Sequence, residues 1–107
     1  MTVVRYVLVA LKPGVDRDEY ERYEREVDYV VANGLKSIVS YRTHRFTEVL
    51  DDLGGGPWDY IERIEVTDRA AYEAEIATLG KELLDELYEK YLDRSKTRSI
   101  WTLLVDP

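Results

Sequence analysis

The chain has 107 residues, room for one domain (1–107) and too few for two. Asp and Glu outnumber Lys and Arg by 22 to 15, a net charge of −7, so neither a nucleic-acid backbone nor an anionic membrane is expected as a partner. The lack of cysteine excludes disulfides, thiolate nucleophiles and Cys-ligated metal sites, and is compatible with the cytoplasmic location expected here.

The first strand is read over Val3–Leu11, ended by Lys12-Pro13-Gly14. This apolar run is too short to span a bilayer and lacks a signal-peptide layout, so the expectation is a mature soluble chain that opens with a strand. Asp16 is placed to cap a helix, with Glu19 three residues on, and the helix runs to about Asn33 with Gly34 as its stop. Its apolar stripe is Tyr20, Tyr23, Val27, Val30 and Val31. Asp28 flanks that stripe, whereas Arg25 and Tyr29 point largely away from it.

A second strand covers about Ser37–Val49. Ile38, Ser40, Arg42, His44 and Phe46 fall on one face, and Val39, Tyr41, Thr43 and Arg45 on the other. Polar residues on both faces suit an edge strand or one that lines a cavity. Asp51–Pro57 is read as a glycine-rich loop, and it is no phosphate loop because no Gly-Lys-Ser/Thr follows. The third strand, about Trp58–Thr67, carries Trp58, Tyr60, Glu62, Ile64 and Val66 on one face. Thr67 or Asp68 caps a helical region in two parts, Arg69–Ala77 and Leu79–Leu92, joined at Gly80, with Leu83, Leu84, Leu87, Tyr88 and Tyr91 as its stripe. A last strand runs over Thr97–Val105.

The order βαββαβ predicts an α+β, ferredoxin-like fold: a four-stranded antiparallel sheet with both helical regions on one face. The other face needs a cover, and two copies that place these faces together form a closed barrel, so a homodimer is expected. Nine tyrosines and two tryptophans against a single Phe suggest amphipathic border residues or an aromatic pocket.

The residues also resemble a known family. Arg25-Glu26-Val27-Asp28-Tyr29 is similar to the motif behind the name of the REDY-like (HapK-like) proteins. So are Arg5–Val9, Leu11–Asp16, Ser37–Arg45, Pro57–Glu62, Trp101 and Val105-Asp106-Pro107, which together cover nearly the whole chain in order. The resemblance implies a dimeric α/β barrel. It also implies an association with bacterial pathways to prodiginine-type pigments and related indole or pyrrole products. Cofactor-free monooxygenases, polyketide cyclases, lactone isomerases and haem-using enzymes share the wider superfamily, so the fold does not set the reaction.

His44, the only histidine, is the candidate proton shuttle, with Asp28 as the acid that reaches a cleft and orients it. Tyr6, Tyr23, Tyr41, Tyr60, Trp58 and Trp101 are candidate walls for a flat substrate, and Arg5 and Arg42 candidate holders of a carboxylate or enolate. No cofactor and no metal are expected: one histidine and no cysteine leave only carboxylate sites, and no calcium-loop or dinucleotide fingerprint occurs. Haem with His44 as axial ligand stays open. The expected function is cofactor-independent, acid/base-assisted cyclisation or condensation of an indole- or pyrrole-containing intermediate. The alternatives are a cofactor-free monooxygenase and a non-catalytic binder of a reactive small aromatic molecule.

Overall fold

In the computed structural model, which describes residues 1–50 and 55–107, the β-branched run Val3–Val9 forms β1 at the centre of the sheet. It pairs antiparallel with β3 (Tyr60–Val66) on one side and β4 (Arg98–Leu103) on the other. The strand β2 (Ile38–Arg45) pairs antiparallel with β3, so the order is β2-β3-β1-β4 and β2 is an edge strand. The chain thus has the expected ferredoxin-like α+β arrangement. Part of the glycine-rich loop, 51–54, lies outside the described residues.

Asp16 caps the first helix by accepting the Asp18 N–H at 2.8 Å. That helix consists of α1 (Arg17–Tyr23), a π-helical segment (Glu24–Asp28) and α2 (Tyr29–Gly34), and it ends at Leu35 rather than before Gly34. The second helical region is α3 (Arg69–Thr78) and α4 (Lys81–Lys90), broken at Gly80 as expected. Asp68, not Thr67, caps α3, its carboxylate accepting the Ala71 N–H at 2.8 Å. Asp68→Ala is expected to destabilise the protein by about 1 kcal/mol, as loss of an N-cap does, measured by urea denaturation.

Alternation along the strands settles the two faces of the sheet. Tyr60, Glu62, Ile64 and Val66 of β3 are buried under the helices. Their pairing partners on β1 are Val9, Val7, Arg5 and Val3. In β2 an irregularity between Ile38 and Ser40 resets the alternation. Ile38 therefore joins Tyr41 under the helices, contrary to the expectation that grouped it with Ser40, Arg42 and His44. Val30, expected in the helix stripe, is 63% exposed, because the π-helical segment rotates the helix beyond it.

The core is built from tyrosines. Tyr20 lies 5.0 Å from Tyr60 and 5.7 Å from Tyr91, and Tyr23 lies 5.0 Å from Tyr91, ring centre to ring centre, all tilted. The chain supplies acids to receive their hydroxyls: Tyr20 donates to Glu24 at 2.5 Å and Tyr60 to Glu21 at 2.7 Å. This pairing explains much of the preference for Tyr over Phe, since a buried phenol needs a partner, although the Tyr23 hydroxyl is buried without one among the described residues. No described helix is long and apolar enough to cross a membrane.

Candidate active site

The π-helical segment decides which side chains of the first helix meet the sheet. A four-residue step overshoots one α-helical turn by about 40°, so Tyr20, Glu24, Asp28 and Ala32 would spiral away from the sheet on an unbroken α-helix. The wider turn, in which the Tyr29 N–H donates to the Glu24 carbonyl, takes up the excess. All four side chains are buried as a result. Two acids thereby enter the core, where β3 brings Glu62 and β2 brings Tyr41.

The Tyr41 hydroxyl is the hub of this cluster. It lies 2.5 Å from Glu62 Oε2, 2.7 Å from Asp28 Oδ2 and 3.3 Å from Glu24 Oε2. A phenol has one proton to donate, so it can serve only one of the three carboxyls. Taking a bare carboxylate out of water costs on the order of several kcal/mol, and no cation forms an ion pair with these acids among the described residues. The cluster therefore holds protons of its own.

The acidities follow. Burial, then the charges of Glu62 and Asp28, pushes the Glu24 carboxyl far above the usual range. Burial also raises Asp28, against its hydrogen bonds to Glu24 and Tyr41. Glu62 is pushed up to about 7 by burial and by the Asp28 charge, partly offset by the Tyr41 hydrogen bond and the positive charge of Arg5. Tyr41 is raised well above an ordinary phenol, by burial first and by the surrounding carboxylates, so it remains a neutral donor. An acid balanced near neutrality, with Glu24 kept protonated beside it, can both accept and return a proton.

A cavity of about 40 Å³ adjoins the cluster, walled by Arg5, Asp28, Tyr41, Glu62 and Tyr72 together with apolar side chains of α3 and α4. A second hollow of about 250 Å³ shares Arg5, Tyr72, Ile76 and Leu84 with the cavity and adds Ser99 and Trp101. At the other end of the cluster Glu24 lines a third hollow of about 270 Å³, with Tyr29, Thr43, Arg45 and Tyr60. One oxygen from each of Glu24, Asp28 and Glu62 lies within 4.8 Å of the others, a spacing that can hold a cation. A hard divalent ion there would displace the shared protons and need about three further oxygens.

The sequence-derived candidates divide between the two faces. Arg5, Asp28 and Tyr41 meet at the inner cavity, and Trp101 stands at the outer hollow. Tyr60 lines the third hollow. Tyr23 is buried against Tyr91 and touches none of these spaces. Trp58 sits at the end of the sheet, its indole N–H donating to the Lys96 carbonyl at 2.9 Å.

His44, Arg42 and Tyr6 lie on the open face: His44 pairs with Ile61, Arg42 with Arg63, and Tyr6 with Arg63 and Ile100. Within one protomer Asp28 therefore does not orient His44, because alternation puts His44 on the opposite side of the sheet from Tyr41. Tyr29 is a further correction. It does not point away from the fold: its ring meets Tyr41 edge-on at 5.2 Å and its hydroxyl accepts the Thr43 N–H at 2.8 Å.

Glu62, Glu24 and Tyr72 were not among the sequence candidates. Glu62 left a signal, an acid in alternation with Tyr60, Ile64 and Val66 on a strand otherwise apolar on that face. Glu24 left none under an α-helical period, since only the π-helical turn buries it.

Solved structures share the whole architecture. The crystal structure of HapK from Hahella chejuensis superposes with a TM-score of 0.74 at 23% identity, covering 98% of this chain and 96% of that one. A dimeric ferredoxin-like protein of unknown function from Jannaschia sp. CCS1 gives a TM-score of 0.75 at 11% identity, over 97% of this chain and 100% of that one. A DABB family protein with a ferredoxin-like fold from Mesorhizobium loti gives 0.70 at 14% identity, over 99% and 100%. No curated protein matches the chain. The family model described as REDY-like protein HapK matches residues 3–105, and the chain belongs to that family.

Proposed function

We propose that the protein is a cofactor-independent tailoring enzyme of bacterial natural-product biosynthesis, acting on an indole- or pyrrole-containing intermediate of the prodiginine or bisindole type. The reaction is an acid/base-assisted cyclisation or condensation. The observation that carries this reading is the convergence of three buried carboxyls on the Tyr41 hydroxyl beside a small cavity. Glu62 takes the proton from the attacking carbon or nitrogen. A proton from the Glu24–Asp28 pair, passed or oriented by Tyr41, goes to the electrophile's oxygen, so the step is neutral in protons and needs no electron acceptor. The inner cavity is too small for a whole aromatic substrate; the reacting edge enters there while the ring that bears it occupies the outer hollow. The general contribution of such proton transfer is about 10²–10⁴-fold in rate.

The test is to incubate the purified protein with candidate bisindole and bipyrrole intermediates, with and without oxygen. Equal turnover in both atmospheres supports the cyclase reading. Turnover lost without oxygen favours the monooxygenase alternative, and tight binding with no turnover favours the carrier alternative.

The second copy of the chain is proposed to cover the open face, where Tyr6, Leu8, Ile61 and Ile100 gather and Ile100 is 45% exposed. His44 and Arg42 then lie at or near the seam. Sedimentation is expected to show a dimer for the native protein and a monomer for Ile100→Lys, in which a charge would have to be buried unpaired. His44→Gln is expected to leave the product ratio unchanged, measured by chromatography of the reaction.

A further inference from the structure

Among the described residues two arginines are half-buried, and they differ in what they face. Arg63 pairs with Glu65 at 3.5 Å. Arg5 has no carboxylate within ion-pair distance among the described residues. Its Nη1 donates to the Tyr72 hydroxyl at 2.7 Å and its Nη2 to the Ser99 hydroxyl at 2.5 Å, two neutral acceptors for a group with five N–H donors. A half-buried guanidinium whose direct partners are neutral, and which feels the Glu62 charge only from beyond ion-pair distance, has donors left for an anion. Register explains its position: Arg5 stands between Ile64 and Trp101, so β1 aims it at the helices where the inner cavity and the outer hollow meet.

The surroundings are largely aromatic and apolar, and the one acid in the lining, Glu73, is paired with Arg69 at 2.7 Å. Trp101 meets Tyr72 edge-on at 5.6 Å and has the Arg69 guanidinium over its ring at 5.0 Å. Ile76 and Leu84 form the apolar side. The hollow's 250 Å³ falls just below the roughly 300–1,000 Å³ of pockets for drug-sized ligands. It suits a single aromatic unit better than a linked pair.

We propose that the outer hollow is the binding site for a planar aromatic carboxylate, with Arg5 holding the carboxylate and Trp101, Ile76 and Leu84 holding the ring. This names the substrate class for the reaction proposed above and rests on that reading. On binding, the carboxylate takes the guanidinium bonds now made to Tyr72 and Ser99, in the paired geometry that arginine favours with carboxylates. The carboxylate then sits where the outer hollow meets the inner cavity.

The experiment is calorimetric titration of the native protein with indole-3-carboxylate, with the neutral indole-3-carboxamide, and with cyclohexanecarboxylate. The carboxylate is expected to bind about tenfold or more tightly than the carboxamide, the range of a charge-assisted hydrogen-bonded contact. Cyclohexanecarboxylate should be weaker than the indole acid. Arg5→Gln should bring the two indole ligands to similar affinity, and Arg5→Lys should restore part of the difference. Equal binding of acid and amide by native protein, no binding of either, or a preference surviving in Arg5→Gln would overturn the proposal. The native comparison needs no variant to fold. An anion preference without turnover on any intermediate would leave this site standing and remove the reaction; turnover without the preference would do the reverse.

Discussion

Glu62→Gln is expected to lower kcat by about 10²–10⁴-fold while the protein still folds. The amide keeps the shape of the side chain and can accept from Tyr41 as the acid does. What it loses is the ability to take a proton at neutral pH. In the native protein Glu62 is held up at about 7 by burial and the Asp28 charge. The kcat/KM profile of the native protein should therefore rise with pH through that region as the carboxylate forms, and the variant's residual rate should lack that limb. Because Glu62, Asp28 and Glu24 interact, the limb belongs to the cluster and not to Glu62 alone. A variant that keeps both the rate and the limb would remove Glu62 as the base. Steady-state kinetics with the native substrate, beside circular dichroism of both proteins, supplies the measurement.

Raising the pH from about 5 to 8 is expected to destabilise the native protein, and Glu24→Gln is expected to remove much of that slope. The sign comes from where protons are bound. Burial raises Glu24, Asp28 and Glu62 above their unfolded values, and neighbouring charge adds to the rise at Glu24 and Glu62. Below the unfolded value, about 4.3 for Glu, each is protonated in both states and nothing is lost. Above it the unfolded chain releases protons that the folded cluster keeps, so stability falls as pH rises towards the folded values. For Glu62 alone, a rise to about 7 corresponds to a few kcal/mol. Glu21 and Glu75, both lowered by hydrogen bonds and charge, act in the opposite sense but at lower pH, below their unfolded values. Melting temperatures of native protein and Glu24→Gln at pH 5 and 8 give the result: near coincidence at pH 5 and a more stable variant at pH 8. A native protein that melts at the same temperature at both values would show that the cluster does not hold its protons.

The readings that survived in the structure rest on local physics. The β-branched run Val3–Val9, the break at Lys12-Pro13-Gly14, the caps at Asp16 and Asp68 and the weakened join at Gly80 each act within a few residues, so they are legible in a string of letters. The face of β3 was equally legible, because period-two alternation needs no partner to read. Asp28 and Tyr41 were recognised as candidates, yet their common partner was not, since Tyr41 is 13 residues from Asp28 and 21 from Glu62 in the chain.

His44 shows the opposite case. Residue type made the only histidine the natural proton shuttle, but a side chain's chemistry carries no information about which face of a sheet it occupies. The irregularity between Ile38 and Ser40 and the pairing of β2 with β3 decided that. Order of elements, caps, the face of β3 and an acid hidden in that apolar strand were thus determined by the amino-acid sequence itself, through short-range sterics and hydrophobic period. The buried Glu24, the four-residue row opened by the π-helical turn and the shared protons around Tyr41 came only from tertiary structure. They depend on desolvation and on contacts between segments far apart in the chain, and neither exists until the helices close over the sheet.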